Sequence, residues 1–298
     1  MENITDKTIF TTLVRSSQEI PHVHLLIESI RTWGGALSGN NIIIFNMNPA
    51  CVSCTELKAK NVHLIPLELP KSLKHVCFGD KVYACARAEE LFPDADTLIW
   101  IDPACLVVNP PVLYETGNSF DCTVRPVHIK NVGLQANGPL DIFWKRIYEI
   151  CGVKDTDRTV ETFVDNKLIR AYYNTHAFAV NPSACLLRQW LSLFEKLVHD
   201  TEYQQAACDN VLHKIFLHQA VLSALISVRC NTDNVRILPP EYNYPYNLQN
   251  EVPDERRANV LNDLVTVAYE NRTLDPDTMD DIRILEPLKG WLKRTVHI

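Results

Sequence analysis

Glycine is scarce in this chain, nine residues in 298, against a usual share of roughly 7%. That scarcity removes whole function classes. No strand is followed by G-x-G-x-x-G and no G-x-x-x-x-G-K-[ST] occurs, so neither a dinucleotide-binding turn nor a P-loop is available. LVRSSQEIP (Leu13–Pro21), after the first apolar run, has none of the glycines with which nucleotidyltransferases cradle phosphates in a G-G-x-G-T-R loop. Positive charge is also short: 29 Lys and Arg against 36 Asp and Glu give a net charge of −7. A surface of that balance does not draw nucleic acid or anionic lipid by counterion release. No uninterrupted apolar run approaches eighteen residues, and MENITDKTIF lacks a basic stretch followed by an apolar one, so we expect no transmembrane segment and a cytoplasmic protein.

Cysteine is plentiful, ten residues, but dispersed and mostly in apolar contexts, as at Cys85, Cys105, Cys185 and Cys230. Buried free thiols are expected. The one close pair, Cys51 and Cys54, has zinc or redox spacing without a second pair or an H-x-x-x-H to complete four ligands.

What is present is an alternation of apolar runs and helical periodicities. Ile9–Val14 and Asn41–Met47 read as buried strands, and Val62–Leu67 is a third apolar run, read as a strand. Helices are predicted from Pro21 to Trp33 and from Gly79 to Phe92. Further on come a strand at Cys122–Val127, a helix at Leu140–Cys151, a strand at Ala171–Val180, helices at Pro182–His199 and Leu212–Val228, and a short strand at Val235–Leu238. This order predicts an α/β fold with a mostly parallel central sheet flanked by helices. With no repeat, low-complexity tract or linker, we expect one domain over 1–298, with 1–130 as one half and 131–298 as the other half plus a C-terminal extension.

The most informative stretch is TLIWIDPACLVV (Thr97–Val108), a strand that ends on Asp102 and leaves through a second apolar run. Ligands bind at the carboxyl edge of open α/β sheets, which singles out Asp102, although an aspartate before a proline also caps turns. Arg15, Ser16 and Ser17 directly follow the first predicted strand and so sit at the same edge.

Five segments, in order along the chain, resemble the GT-A glycosyltransferases, particularly the glycogenin-like and lipopolysaccharide-galactosyltransferase-like group. YACAR (Tyr83–Arg87), with Lys81 before it, is similar to the donor-side helix of that group. TLIWIDPACLVV is similar to its D-x-D strand, YYNTHAFAVNP (Tyr172–Pro182) to its Y-F-N-A-G-V-x-x-I-N segment, HQAVLSAL (His218–Leu225) to its D-Q-x-x-L-N helix start, and LPPEYN (Leu238–Asn243) to its L-P-x-x-Y-N stretch. The chain departs from the pattern where Ala104 replaces the second D-x-D carboxylate, Thr175–His176 replaces Ala-Gly and His218 replaces an acid. The metal-ligand histidine near the end of that group has no counterpart in PLKGWLKRTVHI.

The resemblance implies transfer of a hexose from a nucleotide sugar, UDP-linked, to a glycan or other hydroxyl acceptor. Its alternative is a catalytically inactive relative that binds a nucleotide or glycan. It implies a donor side of Arg15, Ser16, Lys81, Arg87 and Asp102, an acceptor side of Asn174, His176 and Gln219, and catalytic roles for Asp102, His218 and Gln219. His218 would be a base if it points inward and inert if it is exposed. Mn2+ or Mg2+ would be held by Asp102 and the diphosphate, weakened roughly tenfold to a hundredfold or more by Ala104. The metal-free route puts Lys81 and Arg87 on the phosphates instead, unless Lys81, Arg87, Glu89 and Glu90 simply form surface pairs. Tyr242, Tyr244 and Tyr246 either stack on a ligand or close the core.

Overall fold

The computed structural model describes residues 6–49, 57, 59–154 and 158–296. Cys51 and Cys54 lie outside the described residues. The chain runs β1 (Thr8–Val14), α1 (Ile20–Trp33), β2 (Ile42–Asn46), β3 (Val62–Pro66), α2 (Gly79–Leu91), β4 (Thr97–Ile101), β5 (Cys105–Val107), β6 (Cys122–Pro126), α3 (Ile142–Cys151), β7 (Thr159–Glu161), β8 (Leu168–Arg170) and β9 (Tyr173–Val180). It continues through α4 (Leu186–His199), α5 (Thr201–Ala207), α6 (Val211–Arg229), β10 (Val235–Ile237), β11 (Tyr244–Pro245), β12 (Thr266–Ala268) and α7 (Leu288–Thr295).

Seven strands form the central sheet in the order β10-β6-β9-β4-β1-β2-β3. β1 is parallel to β2 and β4, β2 to β3, and β10 to β6, while β9 runs antiparallel to both of its neighbours. Every residue of β1, β2 and β4 is buried, because helices cover both faces and solvent reaches neither. The chain leaves β1 for β2 and β3 on one side, then returns through α2 to β4 on the other. The crevice at the carboxyl ends of β1 and β4 is therefore the topological switch point, where open sheets take their ligands.

The predicted strands and helices occur with ends moved by one or two residues, as fraying and capping dictate, except that the helix predicted from Pro182 begins at Leu186, after a 3-10 turn at Pro182–Ala184. α5, the β7–β8 hairpin and the C-terminal elements were not legible in the periodicity. A second sheet, β11-β12-β5, forms when β12 returns antiparallel along β5, the apolar run just beyond Asp102. α6 has the length and apolarity of a membrane span, alone in this among the described helices. Its residues Leu217–Ile226 are buried within the domain, in the core shared with α3, α4 and β9. Cys85, Cys105, Cys122, Cys151, Cys208 and Cys230 are free and buried, whereas Cys185 is half-buried and Cys77 exposed.

Two charged residues of α2 face inward. Lys81 points to the switch point. Glu89 packs at the start of α4, where its carboxylate accepts from the backbone N–H of Leu187 (3.0 Å) and Arg188 (2.9 Å) and from Arg188 Nε (3.1 Å). An acid at a helix N-terminus satisfies otherwise unpaired amides and complements the helix dipole. Glu89 is thus a buried helix cap rather than part of a solvated face.

Glu89→Ala orphans two buried amides and is expected to lower unfolding stability by about 2–3 kcal/mol. Glu90→Ala, on the exposed side of the same helix, is expected to stay within about 0.5 kcal/mol of the parent. Urea titration of both variants checks the contrast.

Candidate functional site

β4 ends at Ile101, paired with Ala177 of β9, and one further ladder bond joins Asp102 N–H to His176 O at 2.7 Å. This fixes the backbone of Asp102 beside Thr175 and His176. Both oxygens of its carboxylate are already engaged: Oδ2 accepts from Lys81 Nζ at 2.6 Å and Oδ1 from Trp100 Nε1 at 2.7 Å. Lys81 also donates to Thr175 O at 3.2 Å and lies 5.0 Å from the Phe78 ring centroid. The Lys81 side chain is 1% exposed and that of Asp102 13%. The switch point is therefore closed by an internal ion pair.

Around the pair the remaining polar groups fall into two sets. On the β1 side, Arg15 is held by Asp80, and by Glu19 at 2.9 Å. Burial works against its charge, but Asp80 and Glu19 outweigh that and keep the guanidinium firmly protonated. Arg15, Glu19, Lys74, Phe78 and Asp80 line a cleft of about 300 Å³. Ser16 sits half-buried at the start of the following 3-10 turn, with no side-chain capping bond.

On the β9 side, His176 Nε2 is 2.9 Å from Glu270 Oε1, and Asn247 Nδ2 donates to Glu270 Oε2 at 2.8 Å. The bond from His176 outweighs desolvation and holds the Glu270 carboxyl below the usual range. Asn174 Oδ1 accepts from His176 N–H (2.7 Å) and Asn243 Nδ2 (2.9 Å), so it braces the turn of backbone that carries His176. Gln219 Oε1 accepts from Thr175 N–H at 3.2 Å and steadies the same strand from behind.

The structure separates residues that the sequence grouped. Arg87 lies on another side of α2 from Lys81, half-exposed and paired with Glu90, so it does not join the Asp102 cluster. His218 is buried: its Nδ1–H donates to Ile215 O (2.9 Å), its Nε2 accepts from the Thr175 hydroxyl (3.0 Å), and Phe78 stacks on it at 4.3 Å. Burial pushes its pKa well below the ordinary value. It points inward, the condition set for a base, as a neutral ring with both nitrogens engaged within the protein. Tyr242, Tyr244 and Tyr246 are buried, their hydroxyls bonded to Leu113 N, Gln249 and Asp281, and they close the core.

Glu270 has no precursor in the sequence reading. It follows β12, with Tyr269 N–H donating to Ala104 O at 3.0 Å, so the return strand carries it to the loop after Asp102. Its φ of +44° is left-handed, uncommon for a residue with a side chain.

The residues present do not fit a divalent cation. The Lys81 ammonium occupies one Asp102 oxygen, Trp100 the other, and Ala104 offers no ligand. Among the described residues no group of three His, Cys, Asp or Glu is placed to share an ion. A larger cavity, about 580 Å³, opens between the start of α1 and Tyr269–Leu274; its Arg272 is already paired with Asp281.

No protein-family model matches the sequence, and no curated protein matches it either. Solved structures do match in fold. The galactosyltransferase LgtC in complex with donor and acceptor sugar analogs aligns with a TM-score of 0.52 at 13% identity, over 97% of this chain and 95% of that one. An active-site mutant of LgtC gives 0.55 at 12%, with the same coverage. The glycosyltransferase GlyE of Streptococcus pneumoniae TIGR4 gives 0.50 at 12%, over 99% of this chain and 61% of that chain. The chain has the GT-A fold.

Two outcomes follow from the buried pair and the buried ring. Lys81→Met leaves the Asp102 carboxylate without its counter-charge and is expected to cost about 3–5 kcal/mol, much of it recovered in Lys81→Met/Asp102→Asn. A double-mutant cycle in urea measures the recovery. Because the folded-state pKa of His218 is depressed, the unfolded chain takes up the proton first as pH falls below about 6.5. Stability should then drop by up to about 1.4 kcal/mol per pH unit for this residue, and His218→Gln should flatten the profile.

Proposed function

We propose that the chain is a glycosyltransferase that takes a hexose from a UDP-linked sugar to a hydroxyl acceptor without a resident divalent cation. The observation that carries this reading is the Lys81–Asp102 pair at the switch point of a GT-A fold. A cation held by the protein stands beside the aspartate that the resemblance assigns to metal. That LgtC was crystallised with donor and acceptor sugar analogs supports a nucleotide sugar and a hydroxyl acceptor as the substrate classes.

In this reading the nucleotide enters the cleft of Arg15, Glu19, Lys74, Phe78 and Asp80. Glu19 and Asp80 accept from ribose hydroxyls, with Ser16 alongside. Arg15 and Lys74 face the diphosphate, Lys74 being without an ion pair among the described residues. Transfer breaks the bond between the anomeric carbon and the phosphate oxygen and forms one to the acceptor oxygen, and fixed positive charge near the departing diphosphate lowers the barrier. His176 and Glu270, with partly exposed side chains, receive the acceptor hydroxyl. Asn174 and Gln219 act by positioning His176 and its strand.

A second reading rests on one feature: Arg15, Lys81 and Arg87 are all ion-paired, and each Asp102 oxygen accepts a hydrogen bond from within the protein. A site so compensated suits a protein that binds a nucleotide or glycan without turnover.

Calorimetry with UDP, UDP-glucose, UDP-galactose and GDP-mannose, in Mn2+ and in EDTA, tests the proposal. One UDP-sugar should bind equally well, within about twofold, in both conditions, and at a hundredfold its Kd should stabilise the fold by ~2.7 kcal/mol. Lys74→Ala should weaken binding by about tenfold, the cost of one charge-assisted contact. Glu270→Gln should leave donor affinity unchanged and lower UDP release in the presence of acceptors. Binding that requires Mn2+, or no binding of any donor, overturns the reading; binding without UDP release selects the second one.

A further inference from the structure

Among the described residues two lysine or arginine side chains are buried, Lys81 and Arg125. Lys81 has the Asp102 carboxylate. Arg125 of β6 has none. It is 6% exposed, makes no ion pair or side-chain hydrogen bond among the described residues, and its Nε is buried without a partner. Its guanidinium carbon stands 5.1 Å from the centroid of the Phe163 ring. Burial lowers its pKa to about 10, with Glu241 pulling the other way, so the group remains charged at neutral pH. An uncompensated buried charge is among the most expensive features a fold can keep.

The neighbours do not relieve it. Arg256, beside it, is bonded to Glu161 and to the carbonyls of Thr162 (3.3 Å) and Phe163 (3.5 Å), so Glu161 is already neutralised. His128 is buried with both ring nitrogens unpartnered, and burial, then Arg125, then His176 depress its pKa, so it is neutral. The guanidinium does border free space. Arg125, Glu161, Phe163, Pro240, Glu255 and Arg256 line a cavity of about 450 Å³, within the size range of small-molecule sites.

We propose that this cavity binds the anionic group of a hexose-sized ligand, a carboxylate or a phosphate ester, received by Arg125 with Phe163 behind its plane. An arginine fork matches the two oxygens of either group, and an aromatic face orients it without neutralising it. Glu255 on the rim repels a dianion more than a monoanion, which weights the site toward a carboxylate. The β-bulge between Thr123 and Arg125, where β6 pairs with β9, re-aims the side chain at this point. The site stands whether or not the chain transfers sugars.

The test is calorimetry and thermal shift with glucuronate, glucose 6-phosphate and glucose as probes. Glucuronate or glucose 6-phosphate should bind at least tenfold more tightly than glucose, and the stronger of the two identifies the anion. Arg125→Met should fold as well as the parent or better and lose that preference. Should it fail to fold, Glu255→Lys, an exposed rim substitution, decides: anion affinity should rise several-fold. Equal binding of glucose, binding retained in Arg125→Met, or no change in Glu255→Lys overturns the proposal.

Discussion

The buried ion pair between Lys81 and Asp102 is the contact on which the arrangement of this molecule turns. It joins α2 to the end of β4, and through Thr175 O to β9, so three elements that meet at the switch point are tied by one ammonium group. Such a pair is costly to desolvate and survives only with close geometry and further hydrogen bonds on both partners. Trp100 supplies one to Asp102, and the Thr175 carbonyl supplies one to Lys81. Both Asp102 oxygens thus accept a hydrogen bond from within the protein.

The loop after Asp102 is then fixed from the other direction. β12 lies along β5, and the Ala104 carbonyl accepts from Tyr269, which sets Glu270 against His176. The outcome is a polar wall assembled from β9 and a segment some ninety residues further along the chain. His218 and Gln219 support that wall from behind; their polarity satisfies Thr175 rather than facing a ligand. Against this pattern of compensated charge, Arg125 stands out because Arg256 and Glu161 are spent on one another and its own Nε has no partner.

Much of the frame was legible in the residues. Runs such as Ile42–Phe45 and Thr97–Ile101 are apolar on both faces, which only a covered parallel strand permits, and Asp102 marks the carboxyl edge by being the first charge after such a run. Lys81 and Asp102 were grouped in the sequence only as members of one donor side. Spacing cannot say whether two charges face a ligand or each other. Arg87 illustrates the limit: six residues from Lys81 on a helix, it is turned well away from it. Glu270 left no signal, since short strands such as β12 carry too few residues for a period to show.

By itself the sequence determined the layered α/β plan, the order of strands and helices and the edge at which chemistry gathers, because these follow from local hydrophobic periodicity and chain order. Only the tertiary structure decided which charges neutralise which, that His218 is a walled, uncharged ring, and that Glu270 and Arg125 face the places they do. Those outcomes depend on distances between residues far apart in the chain, and on the loss of water around them. Local pattern encodes neither.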